Sequence, residues 1–131
     1  MDRKMLIRFF PVFFLITSPL VLASCGKDSV DPSALRGGET RETLPPVYFT
    51  GEVAMSYAAA KEIPEILDSL HCYCECKKNM GHKSLLTCYV TEHASDCDLC
   101  IDEALMASRL HKEGHDAVSI RKAVDGEFSR I

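Results

Sequence analysis

The sequence predicts an all-α domain: a small bundle of four or five short helices, interrupted by a cysteine-rich, non-helical hook and carried behind a disordered N-terminal tether. Three observations predict it. Apolar residues between positions 53 and 128 recur at spacings of three and four, and no alternating pattern of the kind a strand needs runs for more than a few residues. The stripes are punctuated by Pro64, Gly81 and Gly114 and by hydroxyl or acidic residues placed as caps. Six of the seven cysteines fall between positions 72 and 100, and three alternate as Cys72-Tyr73-Cys74-Glu75-Cys76. Residues two apart share one side of an extended segment but sit about 200° apart on a helix, so this stretch leaves helical geometry.

The chain opens with Arg3, Lys4 and Arg8, followed over residues 9–22 by an apolar run broken by Pro11, Thr17, Ser18 and Pro19. That run is too short and too interrupted for a spanning helix and reads as a secretory signal over residues 1–24. Its end, Leu22-Ala23-Ser24-Cys25, resembles the lipobox of bacterial lipoproteins. The resemblance implies cleavage before Cys25, acylation of its thiol, and a domain held by a lipid anchor to the membrane in the bacterial cell envelope, on the periplasmic or outer side. Alternatively, Cys25 is an ordinary residue beyond a cleavage site after Ala23 or Ser24. Residues 25–50 are rich in Gly, Ser, Asp, Glu, Thr and Pro, with Gly37-Gly38 and Pro45-Pro46, and read as a flexible tether that cannot bury enough surface to order itself.

Residues 51–131 form the domain. Val53, Tyr57 and Ala60, then Ile66, Leu67 and Leu70, make one stripe, broken at Ile63-Pro64 where proline starts a new helix or kinks the first. The hook therefore follows a helix end. A turn at Asn79-Met80-Gly81 leads to a short helix over residues 83–90. Ser95 or Asp96 is placed as the N-cap of a helix over residues 97–112, which Gly114 closes. Asp116 opens the last helix, whose stripe is Ala117, Ile120, Val124 and Phe128.

The formal net charge is −4, and losing the basic leader makes the mature chain more negative still. This argues against nucleic acid or an anionic lipid surface as partner. A domain of this length has a modest core, so metal or disulfide cross-links would add materially to its stability.

The cysteines carry the chemistry. A disulfide between positions two apart is strained, whereas wrapping a soft cation is easy. Thiolates from Cys72, Cys74 and Cys76, with Cys88 and the Cys97-Asp98-Leu99-Cys100 pair at a helix start, suit Zn²⁺ or Cu(I), which prefers thiolate strongly. One ion takes four ligands or fewer, so six sulfurs make either one site with spectators or a small cluster with bridging thiolates. Cys97 and Cys100 lie in a first helical turn and are expected to be the most acidic thiols, against repulsion from Asp96, Asp98, Asp102 and Glu103.

His71, His82 and His93 are interleaved with the cysteines. A lone histidine is more often a solvated or core residue than a ligand, and His71, beside Cys72, is the best candidate ligand of the three by proximity. His111 shares a face with Cys97 and Cys100 and is placed for supporting contact. Met80 offers a thioether ligand or fills a gap.

Two other readings stand beside metal binding. One is a thiol–disulfide protein in which Cys97 attacks and Cys100 resolves. The other is a disulfide-stapled interaction module, six cysteines allowing about 15 pairings. Ile101 follows Cys100, so covalent haem attachment is unsupported, and the C-x-x-C lacks the βαβ setting of thioredoxins. Phosphate-loop, nucleophile-elbow and H-E-x-x-H motifs are absent, and the chain reads more readily as a binder than as an enzyme, a question the sequence leaves open.

A long run of the domain resembles a bacterial lipoprotein family named for its CYCXC or PCYCGC motif. The matching residues are Ala60-Lys61-Glu62-Ile63-Pro64-Glu65-Ile66-Leu67-Asp68, His71-Cys72-Tyr73-Cys74-Glu75-Cys76, Gly81-His82-Lys83-Ser84-Leu85-Leu86-Thr87-Cys88, His93, Cys97-Asp98-Leu99-Cys100 and Glu103-Ala104. The family is known mainly as an uncharacterised domain. Some similar proteins carry selenocysteine at a motif cysteine, which implies redox chemistry or capture of soft metals. This chain departs from the motif at His71, where proline would stand, and at Glu75, where glycine would stand. The first change adds a candidate ligand, and the second replaces a residue suited to close backbone approach. The expectation is an extracytoplasmic lipoprotein holding copper(I), with zinc next, for sequestration or hand-over to a donor or acceptor protein.

Overall fold

A computed structural model describes residues 30–130. The leader and Cys25 lie outside the described residues. Six helices are present among them: α1 (Gly51–Glu62), α2 (Pro64–Asp68), α3 (Cys76–Met80), α4 (Leu85–Cys88), α5 (Asp98–Lys112) and α6 (Ala117–Phe128). Three 3₁₀ turns, Pro32–Leu35, Pro46–Tyr48 and Glu92–Asp96, link them, and no strand occurs among the described residues. The additional helix relative to the expected four or five is α3, a single turn that makes Cys76 helical and carries the chain through Asn79 and Met80 to a left-handed Gly81.

The local signals act as expected at most boundaries. Ile63 leaves helical geometry at the end of α1, and Pro64 opens α2, where its missing N–H costs nothing. Asp116 accepts a bond from the Ser119 N–H and caps α6. Ser95 and Asp96, expected as caps of α5, instead lie in the 3₁₀ turn before it. Cys97 is itself the N-cap, with an extended backbone and no side-chain capping bond, which leaves its thiol free for other partners.

Helix α5 is the axis of the bundle, with α1 and α6 packed along it and α2 against α4. The core contains Tyr57, Leu67, Leu70, Leu85, Tyr89, Ala104, Ile120 and Val124. Phe49 stacks on Tyr57 with ring centroids 3.9 Å apart, and Tyr57 meets Tyr89 edge-on at 4.9 Å. Each buried phenol finds a carbonyl, Tyr57 donating to Thr91 at 2.7 Å and Tyr89 to Cys100 at 2.6 Å.

The boundary expected at position 51 moves. From Gly37 the chain is bound to the domain as a strap: Gly37 N–H donates to the Asp68 carbonyl at 2.8 Å, and Gly38 and Glu39 N–H donate to the Asp68 carboxylate at 3.0 Å each. Farther along, Leu44 N–H donates to the Tyr89 carbonyl at 2.9 Å. Glu39 is buried, with its carboxylate accepting from Thr40, Arg41 and Thr87. Composition suggested a spacer because the strap carries few bulky apolar residues. It is held instead by backbone bonds and two satisfied buried carboxylates, Glu39 and Asp68.

Candidate metal centre

The site forms where the hook, the first residue of α3, the last of α4, the loop after Gly81, the 92–96 turn and the start of α5 meet. Tyr73 fixes the hook. Its N–H donates to Glu103 Oε1 at 2.9 Å and its hydroxyl to Asp125 Oδ1 at 2.7 Å. Asp125 is in turn held by Arg121 Nε, whose Nη1 also donates to the Ser69 carbonyl at the end of α2. With Tyr73 clamped to α5 and α6, alternation turns its neighbours Cys72 and Cys74 the other way, into the cluster. Glu75 then takes a left-handed conformation (φ 65°), which bends the chain so that Cys76 returns to the same volume.

All six cysteines of the domain are unbonded and gathered together. Cys72 Sγ lies 3.0 Å from Cys74, 3.3 Å from Cys88 and 3.6 Å from Cys100, and Cys74 lies 3.7 Å from Cys100. Two sulfurs bound tetrahedrally at ~2.3 Å from one ion stand ~3.8 Å apart, so the longer of these spacings already suit a shared cation. Histidines complete the ring: Cys76 Sγ is 2.9 Å from His93 Nε2, and Cys88 Sγ is 3.2 Å from His82 Nδ1. Four groups have ligand atoms all within 4.8 Å of one another: Cys76, His82, Cys88 and His93; Cys72, Cys74 and Cys76; Cys72, Cys88 and Cys100; Cys74, Cys97 and Cys100. The residues present could hold a metal ion.

Electrostatics explain why such a cluster wants one. Contact with Cys100 and Cys88 holds the Cys72 thiol far below the ordinary range. The reciprocal contacts with Cys72 and Cys88 hold Cys100 above it. Burial raises Cys74 and Cys76. Contact with Cys100 pulls Cys88 down, but contact with Cys72 and burial together outweigh it and leave that thiol raised. Without a cation, ionising one of these touching thiols therefore opposes ionising its neighbours. A bound cation removes that repulsion, and thiol protons leave as it binds. Cys100, expected to be acidic from its place at the helix start, is instead raised: contact with Cys72 and Cys88, with burial added, outweighs the helix dipole there, and Cys72 is the lowered thiol of the pair.

A model of the family described as protein of unknown function with PCYCGC motif matches residues 39–130. The chain belongs to that family. No curated protein and no solved structure matches it. The span matched to the PCYCGC family begins at Glu39, the buried carboxylate of the strap, and takes in every residue of the cluster. The family's motif glycine falls on Glu75, the one non-glycine residue with positive φ among the described residues, so its role is the left-handed bend between Cys74 and Cys76.

Of the residues singled out from the sequence, Cys72, Cys74, Cys76, Cys88, Cys97 and Cys100 come together. His71 does not join them. It is exposed, its ring edge-on to Tyr73 on the far side of the hook, and adjacency to Cys72 misled because successive side chains of an extended segment point apart. His82 and His93 take the place expected for it. Their rings meet edge-on at 5.0 Å, and burial lowers the pKa of His82, which favours the neutral, ligating imidazole. His111 is exposed near the end of α5, about 16 Å along the axis from Cys100, so it makes no supporting contact. Met80 fills no gap. It is 58% exposed at the rim of an open depression of about 320 Å³ lined by Cys74, Cys76, His93 and Cys97, with Asn79 and Asp96 beside them.

Proposed function

We propose that this protein is an extracytoplasmic lipoprotein, anchored through Cys25, that binds soft metal ions through its clustered thiolates for sequestration or hand-over. Copper(I) is the first candidate and Zn²⁺ the second. The observation that carries the reading is the convergence of all six thiols, unbonded: Cys72 lies 3.0–3.6 Å from Cys74, Cys88 and Cys100, and Cys76 and Cys97 join within 4.8 Å of their nearest groups. Thiolate softness favours Cu(I), and the nearby imidazoles suit Zn²⁺ equally well.

The depression bordered by Met80 supports hand-over. An ion held by Cys74 and Cys97 could exchange with an incoming thiol without the domain unfolding, and an exposed thioether is a soft stepping point for Cu(I). The chemistry is ligand exchange with proton release or uptake, and requires no turnover.

The test is elemental analysis with a thiol count on the Cys25→Ser chain, purified without oxygen or chelator. Stoichiometric copper or zinc, lost to a strong chelator together with part of the helical circular dichroism, is the expected result. Metal-free protein with its six remaining cysteines already paired as disulfides would overturn the proposal and favour a stapled interaction module. Two titrating thiols at Cys97 and Cys100 with a defined reduction potential and no metal would favour the thiol–disulfide reading. Against that reading, Cys100 is fully buried and its thiol is held protonated by its neighbours.

A further inference from the structure

Resting on the reading that the cluster binds metal, we infer that it is a two-ion centre: Cys76, His82, Cys88 and His93 take Zn²⁺, and Cys72, Cys74, Cys97 and Cys100 take a second soft ion. The eight donors divide into these two fours with none left over and none used twice. In the mixed four, every ligand atom lies within 4.8 Å of the others, and the sulfur–nitrogen contacts Cys76–His93 and His82–Cys88 tie the two histidines to the two thiols. Two thiolates and two imidazoles in a tetrahedral set are a closed zinc site. In the sulfur four, Cys74, Cys97 and Cys100 are mutually within 4.8 Å, and Cys72 stands 3.0 Å from Cys74 and 3.6 Å from Cys100.

A single ion leaves this arrangement unexplained. One four-coordinate ion would strand the other four donors against one another: four thiols if it sat in the mixed set, or two thiols and two histidines drawn in from separate loops around Gly81 and the 92–96 turn if it sat in the sulfur set. The two sets also touch. Cys72 lies 3.3 Å from Cys88, and the groups Cys72–Cys74–Cys76 and Cys72–Cys88–Cys100 both straddle the border between them. The ions would therefore be neighbours, with the Cys72–Cys88 contact marking the border between their ligand sets. Charge fits the pairing: each ion displaces the thiol protons of its own set, so each group of buried thiolates forms together with the cation that neutralises it.

The test is an anaerobic titration of the full chain carrying Cys25→Ser with Co²⁺, a spectroscopic stand-in for Zn²⁺, alongside native mass measurement with Zn²⁺ itself. Two equivalents are expected for the otherwise unchanged chain. The His82→Ala/His93→Ala pair should bind one, with the stronger sulfur-to-cobalt absorption of an all-thiolate site. Cys97→Ser/Cys100→Ser should also bind one, with the weaker absorption of two thiolates. Cadmium NMR on the chain with its eight donors intact needs no site variant and should give two resonances of different donor type. Saturation at one equivalent with a single cadmium resonance overturns the two-ion centre while leaving metal binding intact, as does a histidine double variant that still binds two. Failure to bind any ion removes both readings together.

Discussion

The hydroxyl of Tyr89 donates to the carbonyl of Cys100 at 2.6 Å, so the residue next to Cys88 is tied directly to the first turn of α5. One fully buried side chain thereby fixes the distance between two of the cluster's sulfurs, which come from different helices. Tyr89→Phe keeps the ring and removes only this bond. We expect it to lower stability by about 1 kcal/mol, the net worth of one buried hydrogen bond, and to speed loss of metal to a competing chelator. Urea unfolding and chelator kinetics measure the two effects. An unchanged rate of metal loss would show that Cys88 and Cys100 are positioned by packing alone.

Glu75 occupies a left-handed conformation that any side chain with a Cβ adopts at a cost. Replacing it with the family's glycine should stabilise the metal-free domain by about 0.5–1 kcal/mol, the strain relieved being partly offset by the freedom glycine gains in the unfolded chain. Its exposed ion pair with Lys78, at 3.6 Å, contributes little to lose. A urea midpoint that stays put or falls in Glu75→Gly contradicts this account of the motif glycine.

What could be read from the sequence was local. The break at Ile63-Pro64, the cap at Asp116 and the departure of the hook from helical geometry each depend on a few consecutive residues, and the structure has them where the pattern placed them. The six thiols were legible as one site because density alone forces them together. The strap and the histidines were not, because long-range packing makes them. Glu39 meets Asp68 across 29 residues, and His93 meets Cys76 across 17. A signal for the strap existed in Gly37: paired glycines ahead of an acidic residue can mark a close approach as well as a flexible spacer.

Gly37 is that close approach. A Cβ built there would stand 2.5 Å from the Lys83 carbonyl oxygen and 2.9 Å from Ser84 Cβ, and the first of these is backbone that cannot swing aside. Gly37→Ala should therefore detach the strap at a cost of about 1–3 kcal/mol, the usual range for overpacking. Limited proteolysis is the direct readout, with new cleavage expected between residues 37 and 49. Protection equal to that of the unaltered chain would mean that the strap shifts without letting go.

Acid should release the same strap. The Arg41 guanidinium beside Glu39 holds its carboxyl well below the usual range, with the Arg41 and Thr40 N–H groups and the Thr87 hydroxyl adding to it against burial. Because the folded pKa is depressed, the stabilisation is present in full above the unfolded value of about 4.3 and disappears as pH falls from there toward the folded value. Glu39→Gln should be less stable near neutrality and should lose less between pH 6 and pH 3, as about two sets of urea midpoints would establish. Equal slopes in the two proteins would remove Glu39 from the acid transition.

Glu103 behaves in the opposite sense. It is fully buried, Oε1 accepts from the Tyr73 N–H, Oε2 has no partner among the described residues, and burial pushes the carboxyl up to about 8. Near pH 7 the folded protein thus keeps a proton that the unfolded chain has released, so stability must fall as pH climbs from about 4.3 toward the folded value and level off beyond it. Glu103→Gln, a neutral side chain of the same shape that still accepts from Tyr73, should abolish this slope in the metal-free protein and be the more stable form near pH 8. Glu103→Ala should instead weaken the domain by about 2–3 kcal/mol and loosen the hook, because it leaves a cavity and takes the acceptor from the part-buried Tyr73 N–H. Parallel pH profiles for the unaltered chain and Glu103→Gln would mean that the carboxyl is already ionised in the fold, held by a neighbour that burial alone does not supply.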